Sequence, residues 1–294
     1  MIKKIHRLLK QHGARRRLVR QRGKVAQILA SLEETRFDRS ERDFLTLQSR
    51  YLPRPEYGYD ALNIFKRASE RAVSVLQQPG IGVPGLKGLD LGAGDGMLSV
   101  LLETFGHQMT LSDLEDWRVS AAKGLTMAVA DCCDQLPMLD STFDFVVSFN
   151  SFEHFSNPER AMEEVLRVTR PGGIVHLHFG PLFCGPWGLH AYQTLCMPYP
   201  QFLFSDAFID RMLGELGTWD LGKKRQELQP LNKWKPAQFE MLWTRPELEV
   251  VSCHWHINEE HLDLVLEYPE CFCGRGLVFD DLVRDSVMVT LRKR

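Results

Sequence analysis

The chain lacks any apolar stretch near the roughly 18–20 residues that a bilayer-spanning helix needs. No apolar segment follows its charged start, so no signal peptide is expected and the setting reads as cytoplasmic. Repeats and low-complexity tracts are absent. No aromatic residue precedes Phe37, which argues against single-strand base stacking and deep interfacial anchoring there. No Cys-x2-Cys pair occurs among the seven scattered cysteines, an odd count that suits reduced thiols. Cys253, His254, His256, His261, Cys271 and Cys273 crowd the tail, but their spacing matches no structural zinc pattern, and no metal is expected.

Acidic residues are missing from positions 1–30, which hold ten Lys and Arg. The formal charge of −2 therefore hides a basic arm on a body of about −12. Ile2, Ile5, Leu8 and Leu9, and then Val25, Ile28, Leu29 and Leu32, give residues 1–35 an amphipathic helical pattern. Such an arm can meet an anionic membrane, nucleic-acid phosphates, its own body or a second subunit. At 44% hydrophobic and 25% charged, the 294 residues have an ordinary globular composition.

What is present centres on Gly88-Leu89-Asp90-Leu91-Gly92-Ala93-Gly94-Asp95-Gly96, followed by Met97-Leu98-Ser99-Val100. A short apolar run, a glycine turn and a helix start open an α/β nucleotide-binding unit. The glycines permit positive φ and close backbone approach, and the first helical N–H groups face the gap. The third glycine comes one residue early for a dinucleotide fingerprint, which disfavours an NAD-dependent oxidoreductase. Strands and helices then alternate from Leu86 to Phe179, the pattern of a parallel sheet with right-handed crossovers. Ahead of them, a helix is expected from Asp60 with Ile64, Phe65, Ala68, Ala72, Val75 and Leu76 inward. Pro171-Gly172-Gly173 reads as a tight turn. Residues 180–248 are rich in proline, glycine and aromatics and break the alternation beyond a strand's C-terminal end, where α/β folds bind ligands. Two more strands are expected at Leu248–Trp255 and Ser286–Lys293.

The stretch Asp90 to Gly96, with Asp113 lying 21 residues past Gly92, resembles the class I S-adenosylmethionine-dependent methyltransferases, of the small-molecule, type 11-like kind. The resemblance runs from about Leu86 to His178. It implies an α/β, Rossmann-like, seven-stranded, mostly parallel sheet, with Ser286–Lys293 as its antiparallel edge. The expected organisation is an N-terminal basic helical extension and lid (1–80) and a methyltransferase domain (81–294), with 180–248 as a substrate-side insertion. Tyr57-Gly58-Tyr59 is a candidate for the lid. S-adenosyl-L-methionine is the implied cofactor and S-adenosyl-L-homocysteine the product.

Carried over residue by residue, Asp90, Gly92, Ala93, Gly94 and Gly96 form the glycine loop. Asp113 takes the ribose hydroxyls and Leu114 packs on adenine. Asp131 and the backbone of Cys132 read the adenine edge, and Asn150 lines the methionine part. Glu153-His154 resembles the Glu-His pair of many small-molecule members. His154, His178 and His190 are the candidate bases, each weighed against a packing role. The chain has no Asn/Asp-Pro-Pro-aromatic tetrapeptide and no Pro-Cys nucleophile, which makes a nucleic-acid acceptor unlikely. The acceptor expected is a small, lipid-linked or glycan molecule methylated at oxygen, with residues 1–30 offering peripheral membrane contact. The rival readings are a non-catalytic cofactor-binding module and a nucleic-acid methyltransferase that uses the basic arm.

Overall fold

The computed structural model describes residues 19–37, 39–52, 58–191, 193–220 and 223–294. Three helices lead in: α1 (19–30), α2 (Glu41–Arg50) and α3 (Ala61–Leu76). Both later starts are capped by side chains. Ser40 accepts from the Asp43 N–H, and Asp60 accepts from the N–H groups of Leu62 and Asn63. The alternating unit follows as β1 (Lys87–Leu91), α4 (Met97–Phe105), β2 (Gln108–Asp113), β3 (Thr126–Val129), β4 (Phe143–Phe149), α5 (Pro158–Val168) and β5 (Thr169–Phe179). Beyond it lie α6 (Pro200–Leu203), α7 (Asp206–Leu216), the short pair β6 (Thr218–Asp220) and β7 (Lys223–Arg225), and α8 (Pro236–Trp243). The tail adds β8 (Leu248–Ile257), α9 (Leu262–Glu267), α10 (Pro269–Phe272), α11 (Phe279–Val283) and β9 (Arg284–Lys293).

Seven strands form one sheet in the order β3-β2-β1-β4-β5-β9-β8. The first five pair in parallel, and β9 runs antiparallel to both of its neighbours. This is the expected Rossmann-like α/β sheet with one placement corrected. Ser286–Lys293 is not the edge. It lies inside, because Val287, Val289 and Leu291 are fully buried and need cover on both sides, and Leu248–Ile257 takes the edge instead.

Side-chain alternation divides the sheet's two faces. Phe145, Val147 and Phe149 join Ala72, Val75, Leu98 and Leu102 in one core. Leu89, Leu91, Val146, Val175 and Leu177 join Val165, Phe239, Leu242, Val289 and Leu291 in the other. A third core lies off the sheet, where Val25, Leu29, Phe44 and Leu47 pack with Tyr199, Phe202, Phe204, Leu264 and Phe272.

Three further expectations change. Helix α1 stops at residue 30 and leaves Leu32 98% exposed, so the apolar stripe does not continue to 35. Phe65 faces outward on α3, since Ile64, Ala68, Ala72 and Val75 already complete the inner face. Pro171-Gly172-Gly173 is a bulge within β5, between the pairs Phe143–Thr169 and Phe145–Ile174, with Gly172 at φ +79°. Tyr57 and residues 1–18 of the basic arm lie outside the described residues. Among those described, no helix is long and apolar enough to cross a membrane.

Candidate active site

The glycine turn leaves the C-terminal end of β1 and is tied down at once. The N–H groups of Gly92 and Ala93 both donate to the Ser112 carbonyl, at 2.8 and 3.2 Å. All three glycines have positive φ, but for different physical reasons. A Cβ on Gly92 would lie 2.2 Å from Ser151 Oγ, and one on Gly96 would lie 2.8 Å from Ala122 Cβ. Those two are glycine so that neighbouring turns can pack. Gly94, at φ +55°, has no atom within 4 Å of such a Cβ, so its backbone is the open wall of the turn.

Asp113 ends β2 beside that wall. Its Oδ2 accepts the Gly94 N–H at 2.9 Å and its Oδ1 accepts the Leu114 N–H at 2.8 Å. Burial raises its carboxyl above the ordinary range, and the two N–H groups pull it back. Leu114 is 65% exposed and offers an apolar surface beside the acid. Asp90 lies underneath, buried, and accepts the Ser99 hydroxyl at 2.8 Å, which joins β1 to α4. Burial pushes Asp90 up to about 6, against the pull of Ser99 and the charge of Arg71. Asp131, past the end of β3, is exposed and caps its own turn by accepting the Cys133 N–H at 2.8 Å. The Cys132 thiol is buried and its pKa is driven up by that burial, so it stays protonated. Asn150 directly follows β4 at φ +53° and donates its N–H to the His178 carbonyl at 2.8 Å.

Helix α3 contributes two residues that the sequence reading missed. Arg67 pairs with Asp95 of the glycine turn at 3.0 Å, donates to the Gly58 carbonyl, and lies 5.3 Å from the Tyr59 ring centre. Arg71 sits over the Phe149 ring at 5.1 Å, and its charge acts on Asp90, Glu153 and His178. The available signal was two arginines four residues apart, bordering the inner stripe of a helix that precedes the first strand.

The candidate bases separate. His154 and His190 meet edge to face, with ring centres 5.0 Å apart, although 36 positions separate them in the chain. Glu153 joins them, and ligand-capable atoms of the three lie within 4.8 Å of one another. Backbone carbonyls orient both imidazoles: Nδ1 of His154 donates to Pro230 at 2.9 Å, and Nε2 of His190 donates to Pro181 at 2.8 Å. Asn232 latches the same turn from the insertion, donating to the carbonyls of Phe152 and Phe155. Burial holds His190 down to about 3. His178 stands apart against Phe149, its pKa also lowered by burial. His176, one pleat away, is a packing residue bonded to Ser74 and Thr290.

One edge of the sheet therefore carries an open glycine wall, a fixed carboxylate, an exposed acid and, beyond Asn150, an imidazole group held by the insertion. Residues 89–177 match the family model described as a methyltransferase domain. A glycine/sarcosine/dimethylglycine N-methyltransferase from Actinopolyspora halophila is 39% identical over 118 residues, 37% of this chain and 21% of that protein. The 2-methyl-6-phytyl-1,4-hydroquinone methyltransferase 2, chloroplastic, of Oryza sativa subsp. japonica is 30% identical over 158 residues, 49% of this chain and 45% of that protein. The chain thus spans less than half the length of either relative. A solved magnesium protoporphyrin IX methyltransferase from Synechocystis PCC 6803 aligns over 82% of this chain and 90% of its own, at 12% identity and a TM-score of 0.45. Strand order and glycine turn agree with the family model, and residues 89–177 are similar to a methyltransferase domain of the kind that uses S-adenosylmethionine.

Proposed function

We propose that the protein methylates a small, lipid-linked or glycan acceptor at oxygen, with S-adenosyl-L-methionine as donor. The observation that carries the cofactor reading is the pairing of Gly94 with Asp113. The backbone at Gly94 is open to a ligand. Each oxygen of Asp113 already holds one N–H and keeps one lone pair, the arrangement that accepts two ribose hydroxyls. Asp131 and the Cys132 N–H suit the adenine edge, Leu114 its face, and Asn150 and Arg71 the methionine end. When bound, the cofactor supplies an activated methyl group. The protein's part is alignment in a dry site, which can contribute roughly 7–11 kcal/mol.

The acceptor's proton leaves toward the group formed by Glu153, His154 and His190. There His154 donates through Nδ1 and so keeps Nε2 as its basic atom. The insertion holds this group and forms the acceptor wall, and the basic N-terminal stretch supports peripheral contact with an anionic membrane. The two relatives named above carry amine and hydroquinone acceptors in their names, so the atom methylated is the point to test. Cell fractions incubated with the protein and methyl-labelled cofactor should yield a labelled small molecule or lipid whose fragmentation places the methyl on oxygen. Calorimetry with S-adenosylhomocysteine and with NAD tests the cofactor. NAD binding without a response to the homocysteine compound overturns the reading, and cofactor binding without turnover in any fraction favours a non-catalytic module.

A further inference from the structure

We infer that Glu153, His154 and His190 form a binding site for a divalent cation of the zinc type. Three observations converge. First, the carbonyls of Pro230 and Pro181 each take one ring N–H, so the backbone holds each imidazole through one of its nitrogens. Metal-binding imidazoles are ordinarily fixed this way, with the second ring nitrogen donating to a carbonyl. Second, the Glu153 side chain is buried, and only its Oε1 is satisfied, by the Gly180 N–H at 3.0 Å. Its Oε2 has no hydrogen-bond partner. Third, ligand atoms of the three residues lie within 4.8 Å of one another.

Reach separates a cation from a proton. A proton on Oε2 finds no acceptor at hydrogen-bond distance. A cation bonding at about 2.0–2.2 Å draws ligand atoms to roughly 3.4 Å apart, so closure needs side-chain movement of no more than about 1.5 Å from the observed limit. Two imidazoles and one carboxylate suit zinc, cobalt, nickel or ferrous iron rather than calcium or magnesium. His190 holds its place at φ +60°, an uncommon conformation for a residue with a Cβ. The tail cysteines and histidines, where the sequence drew attention, take no part. Among the described residues the other such cluster is Asp131, Cys132 and Cys133.

Cation binding is read from the donors alone and does not depend on methyl transfer. Its role does rest on that reading: a bound cation would lower the pKa of an acceptor hydroxyl, whose proton would then pass to bulk solvent instead of to His154. The test uses the full chain, stripped with chelator and carrying Cys133→Ser to remove the competing set. Zinc titrated by calorimetry should bind at one equivalent, and cobalt(II) should give visible absorption bands that saturate at the same ratio. Glu153→Gln, His154→Asn and His190→Asn should each weaken binding at least tenfold while far-ultraviolet dichroism stays unchanged. Glu153→Gln keeps an acceptor for the Gly180 N–H and so serves as the folded control. Absence of cobalt bands at one equivalent, or affinity unmoved by His190→Asn, overturns the site. Cofactor binding measured on the same samples reports separately on the methyltransferase reading.

Discussion

At the scale of single residues, the acids differ by what surrounds them. Asp113 has two backbone donors and an open side, so Asp113→Asn should keep the fold and lose cofactor. The expected loss is about 1.5–3 kcal/mol, the scale of hydrogen bonds to a charged group, seen as a ten- to hundredfold weaker S-adenosylhomocysteine titration. Asp90 is closed in, and its effect is on stability. Its carboxyl titrates near 6 in the folded chain and near 3.9 when unfolded, so between those values the folded state binds the extra proton. Stability from this group therefore falls as pH rises from about 4 to 6 and is lost above that. His176, held down to about 4, acts in the opposite direction over much of the same range. The readable quantity is thus a difference: Asp90→Asn relative to the parent should gain up to about 3 kcal/mol as pH rises through that window, and then level off in urea unfolding. A flat difference from pH 4 to 7 contradicts the burial argument. Both acids were legible in the sequence, Asp90 within the glycine stretch and Asp113 at its spacing of 21 residues past Gly92. The closed surroundings of Asp90 were not, because they depend on Ser99 and on the reach of Arg71 from another helix.

At the scale of elements, alternation with short loops was enough to place β1 to β5, since each crossover puts its strand beside an earlier one. The tail resisted because its two strands are separated by α9 to α11, and nothing local says which of them enters first. Burial decides it. Leu291 on β9 is fully buried, opposite Val175 on one side and Val250 on the other. Leu291→Ala should cost about 2–5 kcal/mol, lowering the urea midpoint with the slope unchanged. Val250, 44% exposed on the edge strand, should tolerate alanine within about 1 kcal/mol. The imidazole pair was half legible. His154 belongs to a recognisable stretch, whereas His190 reaches it only because the insertion folds back over the end of β4.

For the whole molecule, the governing feature is the core that lies off the sheet. Helices α1 and α2 supply Val25, Leu29, Phe44 and Leu47 to a cluster otherwise built from the insertion and the tail. The arm's apolar face is therefore partly used inside the protein, which its amphipathic pattern alone could not reveal. Phe44, edge-on to Phe204 and Phe208 at 5.6 and 5.5 Å, is the test of that core. Phe44→Ala should cost about 3–5 kcal/mol and expose the insertion to limited proteolysis. Deleting residues 1–30 removes Val25 and Leu29 along with the charge, so it is the wrong test of membrane contact. Reversing Arg20 and Lys24, both exposed, to glutamate leaves the core intact. It should weaken co-sedimentation with anionic vesicles in low salt at an unchanged melting temperature, and undiminished co-sedimentation rejects the membrane role.

The position of β9 also bears on how the protein is made. His176 bonds to Thr290, 114 residues further on, so the fifth strand stands with one side bare while the insertion and tail are still being synthesised. A nascent chain arrested anywhere in that interval presents an unpaired parallel edge to its neighbours on the polysome. Completion of the sheet waits on nearly the last segment described, a long-range pairing that should slow folding.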